Sequence, residues 1–181
     1  MPRVVLGLGS NKSYNSLSPL ELLQSACRAL HGVLQDALFS SVYRSKAMYV
    51  TDQDDFYNMA VTGLYDGSPD ELLAACQHIE AVHGRDRRKE FRNGPRPLDI
   101  DIELFGDERM HSARLTLPHE RLCEREFVLR PMLEILPFCA DVKRENLERY
   151  AAALASLEAQ GVELLLGRNE FTEAVYGRNI G

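Results

Sequence analysis

The chain has 181 residues, 45% hydrophobic and 27% charged, with a formal charge of −6. That length and hydrophobic share suit one domain with a real core, expected over residues 1–166 with a loose polar tail over 167–181, and the acidic balance argues against a broad nucleic-acid surface. Cys27, Cys76, Cys123 and Cys139 show no C-x-x-C spacing, so neither a zinc knuckle nor a thioredoxin-type motif has support.

Residues 3 to 9 are predicted to form a strand that ends in Gly9-Ser10-Asn11, a sharp turn whose side chains can bond the local backbone. These opening residues do not read as an export signal, and no run is long and apolar enough to cross a membrane. Reduced thiols in the cytoplasm are therefore expected. A helix follows, in which Leu20, Leu22, Leu23, Ala26, Cys27, Leu30 and Val33 recur at helical spacing behind a Ser18 cap and Pro19. Gly32 weakens its end. Residues 37 to 44 and 57 to 65 are strand candidates. The polar loop between them, Lys46 to Asp55, has a length that more often carries function than not. Ser68-Pro69-Asp70-Glu71 opens a second helix with Leu72, Leu73, Cys76, Ile79 and Val82 on its apolar face, and Gly84 terminates it.

The next segment carries the chemistry. Arg85, Arg87, Arg88, Lys89, Arg92 and Arg96 face only Asp86 and Glu90, a local balance of +4 that leaves −10 for the rest of the chain. Such an island suits one compact anion. Gly94, Pro95 and Pro97 then fix the backbone before a strand in which Leu98, Ile100, Ile102 and Leu104 share one face and Asp99, Asp101 and Glu103 the other. Carboxylates two residues apart stand roughly 6 to 7 Å apart, able to reach one hard cation or a pair about 4 Å apart. Alternation alone describes any strand with one wet face; the arginines beside it point to a metal and phosphate site. Downstream come a small hairpin from Arg109 to Leu117, an apolar stretch from Phe127 to Leu136 broken by Pro131, and a helical segment over 145 to 160. The order strand, helix, strand, strand, helix, strand predicts an α+β protein with a ferredoxin-like antiparallel sheet and packed helices in a three-layer α-β-α sandwich.

Over roughly residues 4 to 137 the chain resembles the 6-hydroxymethyl-7,8-dihydropterin pyrophosphokinases. The resemblance runs through Gly9-Ser10-Asn11, Ser41-Val42-Tyr43-Arg44-Ser45, Phe56-Tyr57-Asn58, Gly84-Arg85, the run Gly94-Pro95-Arg96-Pro97-Leu98-Asp99-Ile100-Asp101, and Leu117-Pro118-His119 with Arg125 and Phe127. It implies transfer of a pyrophosphoryl group from ATP to a pterin alcohol in folate synthesis, releasing AMP. By the same resemblance, Asp99 and Asp101 would hold two magnesium ions, and Arg85, Arg87, Arg92 and Arg96 would meet the phosphates. Arg92, Arg96 and Asp101 would stand nearest the reacting atoms, with the general base unassigned. Gln77, Glu80, His119 and Arg125 would line the nucleotide site, and Ile102, Arg114 and Thr116 its adenine side. Phe56 and Phe127 would flank the pterin, Asn58 would read its amide edge, and Ser45 would lie beside it. Glu103 falls outside the motif and is expected to be solvated.

The chain departs from many relatives at Ser45-Lys46-Ala47-Met48, where they carry a Pro-rich stretch, and at Asn93, where they carry Trp. Glu120 also follows His119 where some relatives carry Tyr. A monomer with no nucleic-acid or membrane partner is expected. A nucleotidyltransferase would place its Gly-Ser close before the acids, but Ser10 and Asp99 are 89 residues apart. An RNA-binding ferredoxin-like module is disfavoured by the acidic remainder and the carboxylate strand.

Overall fold

The computed structural model describes residues 1–48, 52–86, 88 and 94–177. Strand β1 (Arg3–Ser10) leads to helix α1 (Pro19–His31), and strand β4 (Phe56–Leu64) leads to helix α2 (Pro69–Val82). Both helices start with the same device. Ser18 and Ser68 accept from the backbone N–H of Glu21 and Glu71, whose carboxylates accept in return from the cap N–H at 2.8 Å. Each reciprocal pair satisfies two donors the first turn would otherwise leave open. Past α2, Gly84 has φ of +88°, and a Cβ there would run into the ring of Tyr14. Glycine is thus required where the chain turns into the arginine segment.

Among the described residues, the main sheet runs β5 (Asp99–Phe105), β1, β4, β3 (Val42–Ser45), β8 (Glu163–Leu166), with β2 (Gln35–Phe39) also paired to β4. Every pairing is antiparallel, as the predicted ferredoxin-like order requires. The strand predicted over 37 to 44 is two strands. At the break, Ser40 Oγ accepts from Ala60 N at 2.9 Å and donates to Ser41 O at 2.7 Å, so a side chain replaces a rung of the ladder. Beyond it, Glu134 of helix α3 (Glu126–Ile135) accepts from Ser41 N, Ser41 Oγ and Tyr43 Oη at 3.0, 2.8 and 3.0 Å.

Helices cover both faces. On one side α1, α2 and helix α5 (Arg168–Tyr176) enclose a core that includes Leu6, Leu23, Leu30, Ile102 and Phe171. On the other, α3 and α4 (Arg144–Ser156) pack Val128, Leu129, Met132 and Tyr150 against Val5 and Ala60. Pro131 does not break α3, because the buried face of Val128, Leu129, Met132 and Ile135 holds the turns on either side of it. The loose tail expected from residue 167 is corrected as well. Phe171 is fully buried and meets Phe39 edge-on, with ring centroids 6.3 Å apart, so residues 168–176 belong to the core; residues 178–181 lie outside the described residues. The hairpin is found as β6 (Met110–His111) and β7 (Thr116–Leu117).

Candidate active site

Strand β5 sets out the acids. Its register against β1 pairs Gly7 with Asp101 and Leu6 with Ile102, then Val5 with Leu104, so Glu103 is an extra residue at a bulge. The bulge moves Leu104 to the α3/α4 side while Ile100, Ile102 and Phe105 stay in the α1/α2 core. The predicted alternation therefore fails at Leu104 and holds at the acids: Asp99, Asp101 and Glu103 all line one cavity of about 280 Å³. Gly7 makes room there, since a Cβ on it would stand 3.0 Å from Glu103 Oε1.

The arginines converge on those acids. Arg85 Nη1 donates to Asp99 Oδ1 and, at 2.5 Å, to Glu80 Oε1, while Arg96 Nη1 donates to Asp99 Oδ2 at 2.7 Å. Arg125 Nη1 approaches Asp101 Oδ2 at 3.5 Å. Glu80 is buried and also accepts from Ile100 N at 2.9 Å, which ties α2 to β5 beneath the site. Ser10 and Asn11 bond remote rather than local backbone. Ser10 Oγ donates to Pro97 O at 2.5 Å. Asn11 accepts from Arg96 N at 2.9 Å and donates to Gln53 Oε1 and Asp54 O, both at 3.0 Å, so one side chain fixes the start of β5 and the loop before β4 together.

Electrostatics in the cavity is uneven. Burial, then the neighbouring Asp99 carboxylate, pushes Asp101 up to about 7 against the pull of Arg125. Glu103, expected to be solvated, is 1% exposed, and burial followed by Asp101 raises its carboxyl well above the usual range. Among the described residues neither carboxylate oxygen of Glu103 has a hydrogen-bond partner, and Arg125 Nε has none. His119 lies with Nδ1 3.9 Å from Glu103 Oε2, and burial with the charge of Arg125 lowers it to about 4, leaving it neutral at pH 7. Crowded carboxylates of this kind, with Glu103 buried and Asp99 and Asp101 partly exposed, gain from a cation. Their oxygen donors fit magnesium, and no group of three or more His, Cys, Asp or Glu forms a closed metal cage among the described residues. Magnesium characteristically takes one or two carboxylates and completes its shell with phosphate oxygens and water.

The cavity also carries an amide and aromatic rings, a lining that suits a flat heterocycle. Asn58 is buried on β4, and its Nδ2 donates to Ser45 Oγ at 2.8 Å and approaches Phe56 O at 3.3 Å, leaving Oδ1 as an acceptor. Phe56 and Phe127 line the same cavity, with the guanidinium of Arg96 5.8 Å from the first ring and that of Arg125 5.7 Å from the second. Lys46, Ala47, Met48 and Gln53 bring in the predicted functional loop; its residues 49–51 lie outside the described ones.

Other candidates fall elsewhere. Arg87 and Arg92 lie outside the described residues, as does Asn93. Gln77 is half-buried and Glu80 faces β5, and neither lines the cavity. Ile102 is a core residue, 2% exposed. On the β6–β7 hairpin, Arg114 is exposed and 3.9 Å from Asp70, and Thr116 Oγ1 lies 3.0 Å from His111 Nδ1. Sequence reasoning gave no role to Gly7 or Arg121, which line the cavity, and made Asn11 a local turn residue; Gly9-Ser10-Asn11 was the available signal for Asn11.

A ferredoxin-like sheet whose edge strand turns two aspartates toward largely withdrawn arginines, in a cavity also lined by an amide and two aromatic rings, defines an α+β protein with charged and aromatic groups gathered in one cavity. The chain belongs to the 7,8-dihydro-6-hydroxymethylpterin-pyrophosphokinase (HPPK) family, whose model matches residues 5–137. It is 36% identical over 149 residues to the Bacillus subtilis 2-amino-4-hydroxy-6-hydroxymethyldihydropteridine pyrophosphokinase, covering 82% of this chain and 83% of that one. It is 33% identical over 183 residues to a folate synthesis bifunctional protein of Arabidopsis thaliana, covering 95% of this chain. The chain spans only 36%, 24% and 26% of the length of three such bifunctional plant relatives. Among solved structures, an HPPK-DHPS in complex with substrates superposes with a TM-score of 0.62 at 13% identity, over 86% of this chain and 43% of that one. The wild-type Plasmodium falciparum HPPK-DHPS with pteroate superposes at 0.59 and 14% identity, over 75% and 41%. At those identities the likeness is one of fold.

Proposed function

We propose that the protein transfers the terminal pyrophosphoryl group of ATP to the hydroxymethyl oxygen of 6-hydroxymethyl-7,8-dihydropterin, giving AMP and the pterin diphosphate. The observation that carries this reading is the shared cavity, which gathers Asp99 and Asp101 with Arg85, Arg96 and Arg125, and Asn58 with Phe56 and Phe127. The relatives named as pyrophosphokinases of the same pterin support it.

Asp99 and Asp101 would hold magnesium, two ions in this proposal, which when bound neutralise phosphate charge and polarise the attacked phosphorus. This chain's own groups do the rest. Arg85 and Arg96 would orient the phosphates from the basic segment, together with Arg87 and Arg92. Arg125 and neutral His119 would face them from the start of α3 and the turn after β7. Asn58 would accept from the pterin's amide edge through Oδ1, its Nδ2 being held by Ser45 and Phe56, while the two phenyl rings hold the pterin's faces. Transfer of this kind depends chiefly on such positioning and on fixed charge in a water-poor cavity. We place the reaction in the cytoplasm, a reading that the four unpaired cysteines support.

Incubation with ATP, magnesium and the pterin, followed by anion-exchange chromatography of the nucleotides, tests the proposal. AMP should form only with the pterin present and should cease when EDTA is added. ADP as the product, or AMP formed without pterin, would contradict it.

A further inference from the structure

Both oxygens of Asp99 are engaged by the cations that the proposed function assigns to phosphate. Arg85 Nη1 holds Oδ1, and Arg96 Nη1 holds Oδ2 at 2.7 Å. Arg125 Nη1 stands 3.5 Å from Asp101 Oδ2. All three side chains are largely withdrawn from solvent, at 9%, 17% and 14% exposure for Arg85, Arg96 and Arg125, so these are not loosely held surface pairs. A divalent ion and a guanidinium cannot share one carboxylate edge at hydrogen-bond distance without strong repulsion.

Resting on the function proposed above, we propose that Arg85 and Arg96 lock the Asp99 carboxylate, and that a cation enters by exchange: it takes the Asp99 carboxylate, and the displaced guanidiniums turn to the phosphates. The structure supplies each arginine with a second anchor that keeps it in the cavity after the exchange. Arg85 retains Glu80 Oε1 at 2.5 Å. Arg96 retains Gly94 O at 3.2 Å and the Phe56 ring. Arg125 retains the Phe127 ring, whose centroid lies 5.7 Å from its guanidinium carbon. A cation arriving alone must uncouple the arginines with nothing to compensate them. A cation arriving with a polyphosphate brings that compensation with it. Metal and nucleotide therefore bind with positive coupling, and by linkage each tightens the other by the same factor.

The test is manganese binding to the full chain, read from the electron paramagnetic resonance signal of free Mn²⁺, first without nucleotide and then with α,β-methylene-ATP. Arg96→Gln is the informative variant, because Arg85 also supports buried Glu80. Without nucleotide, Arg96→Gln should bind Mn²⁺ about tenfold more tightly than the wild type, and the tightening produced by the nucleotide should shrink by a similar factor. Arg121→Gln is the control for simple loss of positive charge: Arg121 lines the same cavity but pairs with Glu124 at 3.1 Å. It should change affinity for Mn²⁺ alone by less than about twofold. Equal shifts in the two variants, or an Arg96→Gln affinity for Mn²⁺ alone that is unchanged or weaker, would overturn the exchange. If the nucleotide fails to tighten Mn²⁺ on the wild type, the proposed function falls, while the nucleotide-free comparison still decides the lock.

Discussion

The two faces of β5 meet opposite fates on the same seven residues. Toward α1 and α2 the strand inserts Ile100, Ile102 and Phe105, none more than 3% exposed, into the larger core. Toward the cavity it holds Asp99, Asp101 and Glu103, and burial there raises both Asp101 and Glu103. Apolar burial on the first face is favourable by about 25 cal/mol for each Å² removed from water. Carboxylate burial on the second is unfavourable unless something positive answers it. The contrast teaches that one face fixes the strand so that the other can keep carboxylates crowded, and the crowding is what a cation would relieve.

Breaking either face should therefore give opposite phenotypes. On the acidic face, Asp101→Ala should lower pyrophosphoryl transfer by about 10³-fold or more, with the melting temperature unchanged or raised, as measured by AMP release and circular dichroism. On the apolar face, Ile100→Ala should cost about 2–4 kcal/mol in urea unfolding while altering the KM of either substrate by no more than a few-fold. The division is sharpened across the cavity. Asn58→Ala should weaken pterin binding by about 10–100-fold in calorimetry and leave ATP-analogue affinity nearly unchanged, since its loss removes the Oδ1 acceptor and frees Ser45. The smallest effect belongs to Glu103. Its folded-state carboxyl lies above the usual 4.5, so the stability it contributes is present below that pH and is lost as pH rises. Glu103→Gln should then stabilise the protein by about 1–2 kcal/mol at pH 7, with a gain that fades toward pH 4, in thermal unfolding across that range.

What the sequence made legible was local. Ser18-Pro19-x-Glu21 and Ser68-Pro69-x-Glu71 carry their capping boxes within four residues, and both form. Alternation placed Asp99 and Asp101 on one face because strand geometry alone decides that. The bulge at Glu103 was not legible, since an extra residue exists only relative to the register of β1. The pairing of Arg85 and Arg96 with Asp99 was equally hidden: like the anchoring of Arg96 by Asn11, it joins side chains brought together by folding. Helix α5 escaped because its buried signal is only Phe171 and Val175 among polar neighbours, and their partner Phe39 lies far back in the chain. The break in the strand over 37 to 44 rests on Ser40 and Ser41, residues that fit a strand as well as a kink.

The division between the two faces of β5 is tested most directly by phosphorus NMR of wild type and Asp101→Ala side by side, each with ATP, magnesium and 6-hydroxymethyl-7,8-dihydropterin. The wild type should produce AMP and a pterin diphosphate, and the variant, folded as before, should leave ATP intact. ADP from the wild type, or AMP from the variant at the wild-type rate, would contradict the account.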